Sequence, residues 1–557
     1  MGKGARNDLG QGLRTGAQAL VESLEKAGAE VVFGYPGGNI VDVFDHVRTA
    51  KFRFVLGRHE QGCVHMADGY ARATGRPGVV IVTSGPGATN AITGLATANV
   101  DGVPLVLVSG QVPLSQIGTD AFQEADMTGI CRAATKHSFL VKSADEIPET
   151  VAEAFYIATH GKPGAVVIDV PRNVQEEKTS ARHPERVSLR AYHPESAATP
   201  TQVGKLARWL NEAKRPVIFA GGGVIAANAA NDVAAIAGKA GIPVATTLMG
   251  TGSIEPSDPH ALGMAGIYGS HAANAALAAA DLIVALGVRF NDRVTERFPA
   301  GKRRARLVHV DCDPSSIDKN VTADLGIVAD VKDLLTTVNS RVRPCGRDAW
   351  MARVAAFKAE RPFSYRPLHA GVIMPQSVVE AIDRAADSRT ALVADVGQNQ
   401  MWCAQYFRHS APRRFITSGG MGTMGFALPA AIGAAIARPD CRVVAVAGDG
   451  GAQMTIEELA VAVSEGLPLV FVVVNNGCLG MVRQMQDECF GGRHCAVEFP
   501  KVARGIRSPD FVRLARAYGA AAVRVSDPKK LDAAIERAMR SKRPTLVEVV
   551  VEPEANV

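Results

Sequence analysis

The stretches that decide the predicted fold read RVVAVAGDGG at positions 442–451 and LVFVVVNN at 469–476. Each apolar run predicts a buried strand. The residues between the runs have apolar side chains at the spacing of one helical face: Ile456, Leu459, Ala460 and Val463. In a parallel sheet, the crossover brings the carboxyl ends of both strands to one edge, so we expect Asp449 and Asn476 to converge.

The polar residues at these two strand ends, Gly448-Asp449-Gly450 and Asn475-Asn476, have the form of a magnesium–diphosphate site. Magnesium prefers hard oxygen ligands and completes its octahedral shell with phosphate oxygens and water. The glycines let the backbone approach a diphosphate closely, and the following helix directs its first amides at the anion. Alone, Gly-Asp-Gly is typical of a turn and Asn-Asn of a cap. The strand–turn–helix–strand context favours the metal site.

Length and charge narrow the class of protein. A chain of 557 residues predicts about three or four domains. Its 47% hydrophobic and 21% charged residues are typical of a globular enzyme. The net charge of +6 is small, and basic residues are scattered except for short runs such as 302–304, so nucleic-acid binding is disfavoured. No stretch reaches the roughly 20 apolar residues of a membrane span.

The cysteines and the first residues indicate a compartment. The nine cysteines are odd in number and form no CxxC pair, which is typical of reduced thiols in a cytosolic protein. Residues 1–16 have neither a signal-peptide core nor room for a transit peptide before a helix expected near Ala17. We therefore expect a cytoplasmic, bacterial-type enzyme.

Short Val/Ile/Leu-rich runs alternate with helical stretches along the whole chain, which predicts repeated parallel α/β layers. The runs lie at 79–82, 104–108, 165–170, 216–220, 282–286, 307–310, 391–394 and 443–446. Two proline-containing stretches, 186–200 and 341–375, interrupt this rhythm and are interpreted as connections. The prediction is an α/β protein with three doubly wound parallel-sheet domains at 1–185, 200–340 and 372–557.

The first third carries RHEQG at 58–62, ADGYAR at 67–72 and TSGPGATN at 83–90. By itself the third motif is a strand-to-helix turn with Thr89 or Asn90 as a cap. Glu60, taken alone, is a solvated or paired carboxylate.

These motifs closely resemble those of the acetohydroxyacid synthases, also called acetolactate synthases, within the thiamine-diphosphate enzymes. The resemblance is strongest at 34–38, 117–124, 136–139, 246–250, 291–295, 400–402 and 417–425. It implies an N-terminal pyrimidine-binding domain, a central FAD-binding domain and a C-terminal diphosphate-binding domain.

The resemblance also implies the residues that hold thiamine diphosphate and magnesium. Glu60 would bond N1′ of the aminopyrimidine, Met424 would be an apolar wedge under the cofactor, and the Gly422 carbonyl would accept from the 4′-amino group. Gln111 completes the implied catalytic set together with Arg293. The implied metal ligands are Asp449, Asn476 and the backbone oxygen of Cys478. The remaining implied cofactor contacts are Pro36, Gly37, Gly397, Gln398, Asn399, Gly448, Gly450, Gly451, Gly480 and Met481.

A structural rather than redox-active FAD is implied for the central domain. Acidic residues at strand ends, such as Asp311 and Asp313, suit ribose hydroxyls. The alternative is an empty central domain, as in related decarboxylases. The other implied flavin contacts are Lys162, Gly221, Gly222, Gly223, Thr247, Leu248, Met249, Gly263, Met264, Arg289, Arg293 and Asp330.

Family members decarboxylate pyruvate on thiamine diphosphate and join the hydroxyethyl unit to a second 2-ketoacid. Arg293 matches the residue that grips the acceptor carboxylate, a task suited to a planar bidentate donor. Its alternative is an interdomain salt bridge. The resemblance further implies a homodimer or homotetramer with active sites between subunits, and it leaves open a small regulatory subunit.

Several positions depart from the family pattern and bear on the second substrate. They are Asn39, Lys162, Asn399, Gly451-Ala452 and Met485, together with the end of the chain before the family's closing segment. A decarboxylase, oxidase or acyltransferase with another acceptor therefore stays an alternative. A non-catalytic partner paralogue is disfavoured, because Glu60, Asp449 and Asn476 are all present.

Overall fold

The structure, a computed structural model, describes residues 13–194, 196–298, 305–500 and 509–557. The chain divides into two compact units, Met1–His193 and Pro194–Val557. The division falls inside the first predicted connection, 186–200. The basic run at 302–304 and most of the N-terminal segment 1–16 lie outside the described residues. The predicted domain limits 1–185, 200–340 and 372–557 stay predictions.

The first unit contains a parallel six-stranded sheet, in the order β3-β2-β4-β5-β7-β6, and the small antiparallel pair β1-β8. Its strands are β1 Arg14–Thr15, β2 Val31–Tyr35, β3 Arg53–Leu56, β4 Gly78–Val82, β5 Leu105–Gln111, β6 His137–Leu140, β7 Ala165–Pro171 and β8 Lys178–Thr179. Its helices are α1 Gly16–Lys26, α2 Val41–Val47, α3 Glu60–Thr74, α4 Pro86–Thr89, α5 Ile92–Asp101, α6 Met127–Cys131, α7 Ile147–Thr159 and α8 Arg172–Glu176.

The second unit contains two further parallel six-stranded sheets. The central sheet has the order β11-β10-β9-β12-β13-β14. Its strands are β9 Pro216–Ala220, β10 Val244–Thr246, β11 Ala261–Met264, β12 Leu282–Leu286, β13 Arg306–Asp311 and β14 Leu325–Val328. The helices around it are α9 Pro200–Glu212, α10 Gly222–Ala226, α11 Ala230–Ala240, α12 His271–Ala279, α13 Asp292–Thr295, α14 Val331–Asn339 and α15 Asp348–Glu360.

The C-terminal sheet has the order β16-β15-β17-β18-β20-β19. Its strands are β15 Ala391–Ala394, β16 Phe415–Thr417, β17 Val443–Gly448, β18 Val470–Asn475, β19 Ala521–Val525 and β20 Thr545–Val550. Its helices are α16 Pro375–Ala385, α17 Gln398–Tyr406, α18 Ala427–Ala437, α19 Asp449–Met454, α20 Leu459–Ser464, α21 Gly480–Phe490, α22 Phe511–Ala517 and α23 Leu531–Arg540.

The central sheet shows why these apolar runs form buried strands. Successive side chains of a strand point to opposite faces. In β9, Val217 and Phe219 pack into one hydrophobic cluster with α12 and α15, whereas Ile218 and Ala220 pack into another with α9 and α11. Because both faces are covered by helices, the strands are apolar throughout rather than alternating.

The three doubly wound α/β sheets confirm the predicted fold class, and all eight apolar runs named above are strands. The predicted helical face between β17 and β18 is wrong. Leu459 is buried, but Ile456, Ala460 and Val463 are only half-buried, while Val461 and Ala462 are buried. The reason is that the crossover is not one helix: α19 ends at Met454, a 3-10 turn covers Ile456–Glu458, and α20 begins afresh at Leu459.

Across the described ranges, no helix combines the length and apolar character needed to cross a bilayer.

Candidate functional site

The carboxyl ends of β17 and β18 form the centre of the candidate site. Gly448 lies opposite Val474 in the parallel register, so Asp449 and Asn475 leave the sheet side by side. Asp449 is 2% exposed, and its Oδ2 accepts a hydrogen bond from the Gly477 amide at 2.8 Å. The expected convergence of Asp449 with the second strand end is therefore present.

The turn after β18 is ordered by its own asparagines. Asn475 Oδ1 accepts from the Gly477 amide at 3.1 Å, and Asn476 Oδ1 accepts from the Cys478 amide at 3.1 Å. Gly477 has φ +71°, a left-handed conformation that glycine adopts without strain. The Asp449 carboxylate and the Asn475 amide oxygen thus meet at the Gly477 amide, and both are hard oxygen donors of the kind magnesium prefers.

Two glycines at this edge are packed so closely by neighbouring side chains that a Cβ would not fit. A Cβ on Gly450 would lie 2.8 Å from Leu479 Cδ2 and 3.3 Å from Met424 Cε. A Cβ on Gly480, the first residue of α21, would lie 2.1 Å from Gln398 Oε1 and 2.6 Å from Asn476 Nδ2. Glycine at these two positions therefore lets the side chains of Leu479, Gln398 and Asn476 pack directly against the backbone where the predicted diphosphate contacts meet.

The start of α17 adds two buried amides to the same edge. Gly397 has φ +135°, a conformation that favours glycine. Asn399 donates from Nδ2 to the carbonyls of Asp395 (2.9 Å) and Val446 (3.3 Å). Gln398 donates from Nε2 to Gln484 Oε1 at 2.9 Å and to Ala555 O at 3.0 Å. Its own Oε1 is buried and has no hydrogen-bond partner among the residues that the structure describes. An unsatisfied buried acceptor is costly, which fits a position completed by a bound group.

The loop between β16 and α18 carries Gly422 and Met424. Gly422 has φ +70°, and Gly425 has φ +84°. The Thr423 amide donates to Ser418 Oγ at 3.1 Å, and Thr455 Oγ1 donates to the Gly425 carbonyl at 2.7 Å. Met424 is half-buried, and its Cε approaches the turn at Gly450. The loop is thus held on both sides of Met424.

In the first unit, Glu60 lies at the carboxyl edge of the sheet as the first residue of α3. It is 9% exposed, and its Oε2 accepts from Asn90 Nδ2 at 3.0 Å. A Cβ on Gly87 would lie 3.3 Å from Glu60 Oε1, and a Cβ on Gly37 would lie 2.5 Å from Thr83 Cγ2. The glycines of two motifs therefore leave room beside the carboxyl group, while Pro36, next to Gly37, is exposed.

Gln111 ends β5 at the same edge, but its amide is already engaged. Nε2 donates to Asp169 Oδ2 at 2.9 Å and to Ala125 O at 2.7 Å, and Oε1 accepts from the Val112 amide at 2.9 Å. Burial raises the pKa of Asp169 to about 7, with hydrogen bonds from Ser109 and Gln111 opposing the shift. The geometry shows Gln111 holding the strand end to the segment around Ala125.

The predicted flavin residues of the central domain lie at the carboxyl edge of the central sheet, either in the last residues of its strands or directly after them. Gly221 and Gly223 follow β9, and a Cβ on Gly223 would lie 2.6 Å from the Cα of Gly287 after β12. The Thr247 hydroxyl accepts from the Gly250 amide at 3.1 Å. The other predicted residues at this edge are Gly222, Leu248, Met249, Gly263, Met264, Arg289, Asp311, Asp313 and Asp330.

Two predicted residues, Arg293 and Lys162, differ from the others in their surroundings. Arg293 lies on the short helix α13, its side chain is 57% exposed, and its Nε is 3.6 Å from Asp292 Oδ2. Lys162 belongs to the first unit, where it precedes β7 and so lies at the amino edge of that sheet, opposite Glu60 and Gln111. Its carbonyl accepts from Lys136 Nζ at 2.7 Å. Within the first unit Lys162 is therefore not brought together with the other predicted site residues.

Several residues that pack into the site were not predicted. Asp395, directly after β15, is 1% exposed and accepts three backbone amide bonds. An acidic residue immediately after a buried strand is the same signal that identified Asp449. Asn90, Thr455, Gln484 and Ala555 are known as partners only from the folded chain, because each is distant in sequence from the residue it contacts.

The site is not a carboxylate- or histidine-rich metal centre. Over the described parts of the chain, no group of three or more His, Cys, Asp or Glu side chains is placed to hold a metal ion. The Asp449 carboxylate instead accepts hydrogen bonds from the backbone amides of Gly450 and Gly477.

Three family models match successive parts of the chain. The N-terminal TPP-binding domain of thiamine pyrophosphate enzymes matches residues 14–130, the central domain matches 203–338, and the C-terminal TPP-binding domain matches 395–549. The two TPP-binding models include Glu60 and Asp449, respectively.

Similar proteins match over nearly the whole chain. The acetolactate synthase large subunit of Haemophilus influenzae is 42% identical, covering 95% of this chain and 92% of that protein. The acetolactate synthase isozyme 3 large subunit of Escherichia coli is 43% identical, with 98% and 96% covered. The acetolactate synthase of Mycobacterium bovis is 43% identical, with 98% and 89% covered. With three matching domain models and relatives aligned from end to end, the chain belongs to the acetolactate synthase family of thiamine pyrophosphate enzymes.

Proposed function

We propose that this chain is the catalytic subunit of an acetolactate synthase, which releases carbon dioxide from pyruvate and joins the remaining two-carbon unit to a second 2-ketoacid. The observation that carries the proposal is the contact between Asp449 and the turn at Gly477, in a chain homologous to acetolactate synthases throughout. Thiamine diphosphate, when bound, supplies the carbon nucleophile that attacks the ketone and stabilises the negative charge left after decarboxylation.

Asp449, Asn476 and the Cys478 carbonyl are proposed to hold Mg²⁺ with the diphosphate. Burial of Asp449 and its bond to the Gly477 amide orient the carboxylate before the cation arrives. The proposed diphosphate contacts are the backbones of Gly397, Gly448, Gly450, Gly451, Gly480 and Met481 and the amides of Gln398 and Asn399. The close packing of Gln398 and Asn476 against Gly480 supports this assignment, since it places proposed contacts of the metal and the diphosphate side by side.

Glu60 is proposed to share a proton with N1′ of the aminopyrimidine. Its bond from Asn90 fixes one carboxyl oxygen, and the absence of a side chain at Gly87 leaves the other accessible. Proton transfer by a positioned carboxyl group contributes about 10²–10⁴-fold in typical enzymes. Pro36 and Gly37 are proposed to line the same edge. Gln111 is proposed to support it through its hydrogen bond to Asp169.

Met424 and the Gly422 carbonyl are proposed to bind the middle and the amino group of the cofactor. The hydrogen bonds that flank Met424 keep its thioether over the turn at Gly450, so it can act as a fixed apolar wedge. Arg293 is proposed to bind the acceptor carboxylate. Its exposed guanidinium pairs only at 3.6 Å with Asp292, so the geometry leaves it able to turn to a substrate.

A structural FAD is proposed for the carboxyl edge of the central sheet. The glycine contacts between Gly223 and Gly287 bring two strand ends together and leave backbone open, and Asp311 and Asp330 lie at strand ends that suit ribose hydroxyls. Lys162 is proposed to contact the flavin of another chain, because within the first unit it lies at the edge of the sheet opposite the other predicted site residues.

The assembly proposed is a homodimer or homotetramer with active sites between subunits, as the resemblance to the acetolactate synthases implies. A small regulatory subunit is proposed because the Haemophilus and Escherichia relatives are named large subunits. The cytoplasm is proposed as the compartment, since all nine cysteines are free thiols.

The test is incubation of the purified chain with pyruvate, thiamine diphosphate, Mg²⁺ and FAD, with carbon dioxide and products measured together. We expect acetolactate and carbon dioxide in equal amounts. Carbon dioxide with acetaldehyde, acetate or an acyl ester instead would assign the chain to the alternative decarboxylase, oxidase or acyltransferase. No turnover with intact cofactor binding would favour the non-catalytic partner paralogue.

A further inference from the structure

Asp395 is a buried carboxylate in the C-terminal sheet to which the proposed reaction assigns no role. Its Oδ1 accepts from the amides of Val396 (2.9 Å) and Gly425 (3.0 Å), and its Oδ2 accepts from the Ala427 amide (2.9 Å). Its own carbonyl accepts from Asn399 Nδ2 at 2.9 Å. One residue thus joins the end of β15, the start of α17 and the loop that leads into α18.

The bonds to Gly425 and Ala427 bear directly on Met424. Gly425 is fixed at its amide by Asp395 and at its carbonyl by Thr455 Oγ1, which donates at 2.7 Å. Met424 therefore precedes a peptide that is anchored from two different segments. The position of its thioether over Gly450 depends on that anchor.

Asp395 also contacts the turn that carries Asp449. A Cβ on Gly451 would lie 2.5 Å from Asp395 Oδ1 and 2.9 Å from its Cγ. No real side chain is accommodated at that distance unless the carboxylate moves. Gly451 is one of the positions at which this chain departs from the family pattern. The close packing of Asp395 against α19 therefore depends on the glycine at this position.

The chemistry of the site requires a carboxylate and not an amide. An ionised carboxylate only accepts hydrogen bonds, and it can satisfy three amide donors at once. An asparagine would direct an NH₂ group at one of those amides. Burial raises the pKa of Asp395 to about 6, and the three amide bonds oppose the shift. Among the described residues no cation pairs with it, so the backbone amides alone hold the charge.

We propose that Asp395 is a positioning residue that sets the loop 418–425, and with it Met424, against the first turn of α19, so that the wedge and the metal site keep one fixed spacing. The inference rests on the proposed cofactor site but not on which 2-ketoacid is the acceptor.

The test compares wild type with Asp395→Asn, Gly451→Ala and the double variant. For each protein, the dissociation constant of thiamine diphosphate with Mg²⁺, the near-ultraviolet circular dichroism of the bound cofactor, kcat and FAD content are measured. We expect Asp395→Asn to weaken thiamine diphosphate binding at least about ten-fold, since a lost bond to a charged group costs that much. The circular dichroism of the bound cofactor should change, and FAD content should not.

Gly451→Ala should also weaken thiamine diphosphate binding, because it displaces the same carboxylate. The double variant should bind the cofactor no more weakly than the single variant with the lower affinity. Gly238→Ala is the matched control: a Cβ there meets nothing within 4 Å, so cofactor binding should be unchanged. Wild-type affinity and circular dichroism in Asp395→Asn, or additive losses in the double variant, would overturn the proposal. If Asp395→Asn does not fold, Asp395→Glu, which keeps the charge but displaces the carboxylate from the three amides, decides by the same two measurements. A wild type that binds the cofactor but makes no acetolactate would refute the proposed function and leave this comparison valid.

Discussion

The central and C-terminal sheets share one architecture and differ in what stands at their carboxyl edges. Each has six parallel strands covered by helices on both faces. At the central edge, Gly221 and Gly223 pack against Gly287, and acidic residues such as Asp330 cap a helix in the open. At the C-terminal edge, Asp395, Asn399 and Asp449 are buried. The difference shows that the same fold places residues at the carboxyl edge of both sheets. The identity of the few residues after each strand then determines the chemistry of that edge.

Because Asp395, Asn399 and Asp449 are all buried, we expect substitutions at the C-terminal edge to cost more than substitutions of an exposed cap such as Asp330. A buried carboxylate that loses its partners costs free energy, whereas an exposed cap loses little. A change at either edge should therefore affect one cofactor and spare the other.

The largest effect on turnover is expected for Glu60→Gln. Glu60 lies in the first unit, outside both edges, and its substitution should lower turnover while leaving cofactor binding nearly unchanged. Turnover should fall by about 10²–10⁴-fold because the proton partner of the aminopyrimidine is removed. The affinity for thiamine diphosphate should stay within about ten-fold, since little contact area changes. The measurement is kcat beside a cofactor titration. Undiminished carboligation would remove Glu60 from the mechanism.

Asp449→Ala tests the C-terminal edge directly. Magnesium-dependent binding of thiamine diphosphate should weaken by about 100-fold or more, because the bridging carboxylate is lost. FAD content, read from flavin absorbance, should match wild type and serves as the internal control. Equal loss of both cofactors would mean that the two edges are not independent.

Mixing the Glu60→Gln and Asp449→Ala proteins tests whether each site combines two chains. If it does, half of the dimers are hybrids. In each hybrid one of the two sites has both wild-type residues, so about a quarter of wild-type activity should return. Subunit exchange is verified with differently tagged chains. Exchange without recovered activity would place both residues in one chain's own site.

Gly223→Ala is the corresponding change at the central edge. The added Cβ would lie 2.6 Å from Gly287 Cα, so the two strand ends must separate. Such overpacking costs about 1–3 kcal/mol, and we expect roughly ten-fold weaker FAD binding. Binding of thiamine diphosphate should change little. Gly238→Ala again serves as the control, and full FAD retention in Gly223→Ala would argue against a flavin at this edge.

The smallest effect is expected at Met485, which is 42% exposed on α21. The flexible thioether offers no flat wall for an acceptor side chain, so we expect little preference for 2-ketobutyrate over pyruvate. Met485→Trp should raise that preference by about ten-fold, the value of one methylene in an apolar pocket. Product ratios from competing acceptors measure it. A strong wild-type preference for 2-ketobutyrate that Met485→Trp leaves unchanged would contradict the prediction that Met485 contacts the acceptor side chain.

How far the sequence leads is clearest at β17 and β18. Their apolar runs predicted both strands, and the parallel crossover predicted that Asp449 would meet the second strand end. The helical face between them was wrong, because the break at Thr455 depends on its bond to Gly425 thirty positions earlier. Periodicity describes local conformation and contains no information about a distant partner.

The amino-acid sequence by itself determined the alternation of strands and helices, the three parallel sheets and the strand-end motifs, since these follow from local hydrophobic spacing. Only the tertiary structure decided which buried atoms those motifs contact. Gln111 is engaged by Asp169, Gln398 by Ala555, and Asp395 holds the peptide after Met424. Each pair is separated by 30 to 157 residues, and it forms because parallel packing brings distant strand ends to one edge, where a buried polar group must find a partner.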